Sequence, residues 1–139
     1  MKVDISKLSL LHKFAKSLSK NIKAGDVIYL HGDLGSGKTT FTQMLIQYLG
    51  YKGVVKSPTY AIYENYDLND YSAVHMDLYR LSSPEELYYL AIDEIFDQKN
   101  IVIIEWPDNG LGVLPPPNIV LSFELIDSET RVLIADITS

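Results

Sequence analysis

The sequence predicts an α/β fold in which helices cover a mixed, mostly parallel sheet. Apolar runs of strand length alternate with stretches of helical periodicity along much of the chain. Two of these runs, residues 27–30 and 101–104, are unbroken in the manner of buried parallel strands. Two further β-rich runs close the sequence and indicate an antiparallel addition to the sheet.

Composition predicts one ordinary globular unit. With 139 residues, 47% of them hydrophobic and 22% charged, residues 1–139 are expected to form a single domain with a real core. The net charge of −6 argues against broad electrostatic binding to nucleic acid, and the lack of cysteine excludes disulfides and thiolate chemistry. Because there is no apolar run near membrane length and no signal-peptide pattern, we expect a cytoplasmic protein without a membrane partner.

The most specific motif follows the first buried run. Residues 32–39 read G-D-L-G-S-G-K-T, which matches G-x-x-x-x-G-K-[ST] between a strand and a helix. Glycines let the backbone turn its N–H groups inward, where they bind anions together with the start of the helix. Lys38 adds a charge for phosphates, Thr39 is placed to ligate Mg²⁺, and Thr40 extends the hydroxyl cluster. The motif predicts a nucleotide triphosphate site built on Gly35, Ser36, Gly37, Lys38, Thr39 and Thr40, in a P-loop NTPase-like three-layer fold.

The other elements follow from periodicity and turn residues. Helices are expected at residues 6–22 with Ser6 as N-cap, after the loop as far as Gly50, and from Ser83 to about residue 96. Strands are expected as an antiparallel pair at 60–67 and 72–79 and as a hairpin at 119–126 and 131–137, and residues 54–56 could form a short strand. Residues 108–117 are expected to be an irregular loop.

Two carboxylates are candidates for the metal. Asp77 lies in an otherwise apolar stretch, where a carboxylate is costly unless it is paired or binds a metal. A structural pair with Arg80 or Lys38 is the alternative to a place around Mg²⁺. Glu105 follows a buried strand, and ligands of open α/β sheets bind beyond the carboxyl ends of strands. There it can hold Mg²⁺ through water or orient the attacking water, and a capping or surface role is the alternative.

Three more residues have open interpretations. Thr59 lies in a polar loop after the first P-loop helix, where nucleotide-sensing switches occur, although a plain connecting turn explains it as well. Trp106 can pack, form a wall of the nucleotide pocket or contact a partner. Arg131 could reach a phosphate or base, or be an ordinary strand arginine. Because there is no Asn-Lys-x-Asp element of the kind that reads guanine, we expect ATP.

Four motifs together resemble one family. Residues 32–43, 56–60, 75–87 and 104–108 have the order and spacing of the TsaE (YjeE) family, and the resemblance covers essentially the whole chain. It implies a Mg²⁺-dependent ATPase that works with partners. Because the chain supplies no obvious arginine finger, we expect weak hydrolysis by the protein alone and stimulation by the partners. The family is needed to form N6-threonylcarbamoyladenosine (t6A) at position 37 of tRNAs that read ANN codons. The implied partners are TsaB and TsaD, with tRNA contacted only indirectly.

The resemblance also implies roles for single residues. Lys38 matches the family's phosphate lysine and Thr39 its Mg²⁺ ligand. Thr59 matches a switch-like threonine, while Asp77 and Glu105 match acids associated with Mg²⁺ and hydrolysis. Trp106 matches the tryptophan that lies beside the family's nucleotide site.

Two other functions fit the same loop. A small-molecule kinase would need an acceptor pocket and usually a lid with arginines, and Arg80 and Arg131 are the chain's only arginines. A non-hydrolysing adaptor would use ATP only as a conformational ligand. Turnover by a Glu105→Ala variant separates these functions from an ATPase.

Overall fold

A computed structural model describes residues 1–58 and 61–138, which contain one seven-stranded sheet. The strands are β1 (Lys2–Asp4), β2 (Val27–His31), β3 (Tyr63–Asp67), β4 (Ser72–Asp77), β5 (Asn100–Glu105), β6 (Ile119–Leu125) and β7 (Arg131–Ile137). The α-helices are α1 (Leu8–Ser19), α2 (Lys38–Tyr48) and α3 (Ile92–Ile95), and 3-10 helices span Pro84–Tyr89 and Pro107–Gly110. None of these helices is long and apolar enough to cross a bilayer.

The centre of the sheet is parallel. The strand order is β1-β7-β6-β2-β5-β4-β3, in which β6, β2, β5 and β4 pair in parallel and the other three strands are antiparallel additions. Glu105 at the end of β5 is in register with Leu30 of β2 on one side and with Asp77 of β4 on the other. The predicted mixed α/β fold is therefore confirmed, and the carboxyl ends of its central strands meet at one edge.

Alternating side chains of the central strands form a core on each face. On one face, Ile28 and Leu30 of β2 pack with residues of α1 and α2, including Phe41. On the other face, Val27 and Tyr29 pack with the segments that precede and follow β4 and β5. Because burying one such aliphatic side chain stabilises the fold by about 1.5–3 kcal/mol, unbroken apolar runs are favoured in strands covered on both sides.

The N-terminal segment differs from the prediction in two ways. The first helix spans Leu8–Ser19, and its N-cap is Lys7, so the assignment of Ser6 as N-cap was wrong. The Ser6 hydroxyl instead accepts the N–H of Arg131 at 3.0 Å. Strand β1 was not predicted. Its three residues are short for a strand, and they form one by pairing with β7.

The predicted helix after Ser83 is split in two. Its start is confirmed, because Ser83 and Glu86 form a capping box and Pro84 occupies the first turn. The chain then forms one 3-10 helix and the short helix α3, with Leu90 extended between them. Tyr88 and Tyr89, which end the 3-10 helix, have only modest helix propensity, so local preference does not hold a continuous helix together.

Two loop predictions also change. Residues 54–56 form no strand, and the backbone N–H and C=O of Lys56 bond instead to the Tyr66 hydroxyl, at 3.0 and 2.8 Å. The loop at 108–117 is irregular except that a 3-10 helix begins it.

The antiparallel pair and the closing hairpin are confirmed, and Gly50, with φ of +114°, follows the end of α2 as predicted.

Candidate functional site

The loop at residues 32–37 joins β2 to α2 and has a shape that requires glycine. Gly32 and Gly37 have φ of +149° and +110°, values that side-chain-bearing residues rarely adopt. A Cβ on Gly32 would lie 2.7 Å from the Ser36 Oγ and 3.0 Å from the Phe123 carbonyl oxygen. The loop therefore packs closely against β6 while its backbone curves around the start of α2.

Ser36 provides a polar group without a partner inside this loop. Its side-chain oxygen is buried and makes no hydrogen bond to any of the described residues. Leaving a hydroxyl buried and unpaired costs about 1–3 kcal/mol, and native proteins rarely retain such a group without a reason. A phosphate oxygen bound in the loop would give this hydroxyl the acceptor that it lacks.

Lys38 is held in a nearly buried position at the start of α2. Its ammonium donates to the Gly32 carbonyl at 2.5 Å and lies 3.8 Å from the centre of the Trp106 ring. Burial lowers the pKa of Lys38, and the nearby Glu105 carboxylate opposes that shift. An ammonium has three N–H donors, so this one keeps capacity for an anion.

Glu105 lies beside the start of α2, as its place at the end of β5 predicts. Its side chain is almost fully buried, and the Thr39 Oγ1 lies 3.2 and 3.3 Å from its two oxygens. The second neighbour is His75 of β4, whose Nε2 lies 2.6 Å from Glu105 Oε2. The predicted hydroxyl and carboxylate are thus adjacent, which is the pairing that a Mg²⁺ site beside a phosphate loop requires.

Asp77 ends β4 next to Glu105 in the sheet. It is half-buried, and its Oδ1 accepts the N–H of Tyr79 at 3.1 Å. Burial raises the pKa of Asp77, and the hydrogen bond from Tyr79 opposes this rise. The carboxyl lies close enough to Glu105 and Lys38 for their charges to affect that pKa. Its role around a metal remains a prediction.

Trp106 has a backbone conformation that bulky residues seldom adopt. Its φ and ψ are +58° and +50°, in the left-handed region, and Pro107 follows. Such a residue costs about 1–3 kcal/mol and persists where the surrounding structure fixes it. Here the turn places the indole over Lys38 and 5.1 Å, centre to centre, from the Tyr79 ring. The indole thus packs against Lys38 and Tyr79, and a place for Trp106 beside the nucleotide stays a prediction.

One cavity connects most of the predicted residues. It has a volume of about 180 Å³, and its lining comprises Leu34, Gly35, Gly37, Lys38, Thr39, Thr40, Glu105 and Arg131. Arg131 is exposed at the start of β7, and the hairpin brings it to the loop from far along the chain. Thr59 lies outside the described residues, so its predicted switch role is a matter for experiment.

The donor groups fit Mg²⁺ that arrives with phosphates. Within residues 1–58 and 61–138, no group of three or more histidine or acidic side chains could hold a metal ion. Mg²⁺ commonly keeps several waters and binds through one or two protein oxygens and substrate phosphates. Thr39 and Glu105 supply such oxygens beside the loop, and the unpaired Ser36 hydroxyl fits the phosphate.

The fold and this loop define a P-loop NTPase-like α/β protein. The family model described as threonylcarbamoyl adenosine biosynthesis protein TsaE matches residues 5–133. The chain belongs to the TsaE family, as the sequence motifs predict.

Individual relatives agree with this assignment. The chain is 39% identical over 130 residues to the tRNA threonylcarbamoyladenosine biosynthesis protein TsaE of Haemophilus influenzae, covering 93% of this chain and 82% of that protein. It is 38% identical to the protein of the same name from Rickettsia conorii, covering 86% and 69%. The crystal structure of YdiB from Bacillus subtilis superposes with a TM-score of 0.80 at 26% identity, covering 100% of this chain and 86% of YdiB.

One residue of the site, His75, was not predicted from the sequence. It is fully buried in β4, and its hydrogen-bond partner is Glu105 itself. No short motif carries this signal, because the two residues are 30 positions apart and meet only where β4 pairs with β5.

Proposed function

We propose that this protein is a Mg²⁺-dependent ATPase that acts on a TsaB–TsaD complex during t6A formation in tRNA. The observation that carries the proposal is the joint placement of Lys38, Thr39 and Glu105 around one cavity at the end of the parallel strands. Membership of the TsaE family and the names of its relatives support the tRNA-modification role. ATP, Mg²⁺ and the two partner proteins are part of the proposal.

Each site residue has a part in binding and orienting. The backbone N–H groups of the loop and the remaining N–H donors of the Lys38 ammonium bind phosphate oxygens. Thr39 and Glu105 would hold Mg²⁺, directly or through water, and the ion would supply positive charge to the phosphate oxygens. Glu105 also orients the attacking water, while the Trp106 indole limits the access of bulk solvent to Lys38.

We expect slow turnover by the protein alone. Phosphoryl transfer enzymes gain large factors from an arginine that reaches the transferred phosphate. Arg80 and Arg131 are the only arginines of the chain, and of the two Arg131 lines the cavity. Arg131 is exposed, so its guanidinium is not fixed on the phosphate by surrounding packing. Stimulation would then come from the partner complex.

The test is ATP hydrolysis with Mg²⁺, measured for the protein alone and with purified TsaB, TsaD and tRNA. We expect partner stimulation that disappears in Lys38→Ala. Glu105→Ala should bind ATP but fail to turn it over, whereas Glu94→Ala, which removes an exposed carboxylate on α3, should behave like the wild type. Binding without stimulated turnover would favour an adaptor, and ADP release that depends on a small acceptor would favour a kinase.

A further inference from the structure

After the contact of Lys38 with the Gly32 carbonyl, the contact between His75 and Glu105 is the shortest polar contact at the site. His75 is fully buried in β4, and its Nε2 lies 2.6 Å from Glu105 Oε2. Its other ring nitrogen, Nδ1, is buried and has no hydrogen-bond partner among residues 1–58 and 61–138. The fold therefore tolerates an unpaired polar atom in order to place this imidazole against this carboxylate.

The direction of the hydrogen bond follows from the chemistry of the partners. An ionised carboxylate only accepts hydrogen bonds, so the proton of this contact belongs to Nε2. Hydrogen bonds to a charged acceptor are among the stronger ones in proteins. Oε2 of Glu105 is consequently the oxygen that His75 fixes.

The opposite side of the carboxylate faces the cavity. Thr39 Oγ1 lies at 3.2 and 3.3 Å from the two oxygens, longer than the imidazole contact, and Glu105 lines the cavity with the loop. A glutamate side chain has several rotatable bonds, and a held rotamer is what a metal or water contact needs. Among the described side chains that hydrogen-bond to the Glu105 carboxylate, His75 is the only one that lies outside this cavity's lining.

We propose that His75 is a positioning residue that holds Glu105 in the orientation that receives Mg²⁺ with the nucleotide. The inference rests on the proposed function for the identity of the ligand, and it adds a residue that acts only through Glu105. Loss of such a supporting hydrogen bond typically weakens metal affinity or activity by about 10–100-fold.

The test measures how strongly Mg²⁺ improves nucleotide binding. The chain has one tryptophan, Trp106, which lies over Lys38, so its fluorescence can report ATP binding in Mg²⁺ and in EDTA. The ratio of the two dissociation constants is the Mg²⁺ coupling. We expect His75→Leu to lower this coupling about tenfold while binding in EDTA stays within about twofold.

Further variants separate positioning from simple structural support. His75→Gln keeps an N–H donor near Nε2 and should recover most of the coupling. Glu105→Gln should lower the coupling, and adding His75→Leu to it should have no further effect. Met76→Leu changes the next residue of β4, which is buried on the opposite face, and should leave the coupling unchanged. If His75→Leu folds poorly by its Tm, His75→Asn removes the contact with a smaller polar side chain.

The outcomes are distinct from those of the proposed function. The positioning role would be overturned if His75→Leu kept the Mg²⁺ coupling of the wild type, or if the wild type itself showed no coupling. It would also be overturned if His75→Gln and His75→Leu lost the coupling equally at equal Tm. Additive losses in the double variant would do the same. None of these measurements needs ATP turnover. If the wild-type protein never hydrolysed ATP, the proposed ATPase activity would be refuted, and the binding measurements would still test the role of His75.

Discussion

Replacing Lys38 with methionine should separate the stability of the protein from its ability to bind nucleotide. The variant loses a hydrogen bond from a charged donor to Gly32, about 1.5–3 kcal/mol, and a cation–π contact with Trp106, about 1–2 kcal/mol. In the wild type, burying the Lys38 ammonium away from water costs several kcal/mol, and the methionine variant avoids this cost. Because these contributions oppose each other and methionine keeps the aliphatic packing, we expect the free energy of unfolding to change by only about 1 kcal/mol.

The effect on binding should be much larger. Loss of a charged hydrogen bond to phosphate, about 1.5–3 kcal/mol, corresponds to about 10–150-fold weaker affinity. Thermal unfolding with and without MgADP measures both quantities in one assay. Ligand at about 100 times its Kd stabilises a protein by about 2.7 kcal/mol, and this falls to about 0.4 kcal/mol when affinity drops about 100-fold.

An exposed lysine provides the control. Lys13→Met on α1 removes the same charge and should keep both the Tm and the MgADP shift. For a chain of this size about 1 kcal/mol corresponds to about 3–5 °C in Tm. A fall in the Tm of free Lys38→Met by more than about 8 °C would mean that the lysine stabilises the fold. An unchanged MgADP shift would refute its role in binding.

Two other substitutions test the electrostatics and polar packing of the site. Burial raises the pKa of Asp77 above its ordinary 3.8, so the charged carboxyl destabilises the fold at neutral pH and not below that value. Asp77→Asn should therefore have a higher Tm than the wild type at pH 7, with the difference shrinking as pH falls toward 3.8; a lower Tm at pH 7 would contradict this. Ser36→Ala removes a buried unpaired hydroxyl and should raise the free energy of unfolding by about 1 kcal/mol in urea, while a loss of stability would show that the hydroxyl is satisfied.

Several features were predictable because their signals are local. The phosphate loop lies within eight consecutive residues, and its glycines specify the backbone conformation directly. The apolar run that ends at Glu105 predicted a parallel strand, and the geometry of parallel strands then predicted which edge of the sheet the carboxylate reaches. The hairpin and the capping box at Ser83 likewise depend on neighbouring residues. For these features the sequence was sufficient.

Other features depend on contacts between distant parts of the chain. Strand β1 exists because β7 offers it a partner, and Arg131 reaches the loop because β7 pairs with β6. The contact of His75 with Glu105 requires the pairing of β4 with β5, and the position of the Trp106 indole requires a backbone turn that no propensity predicts. Local pattern decided which elements form and where the loop begins. Only the tertiary structure decided which side chains surround the carboxylate and the lysine, because burial and strand pairing select partners irrespective of their distance along the chain.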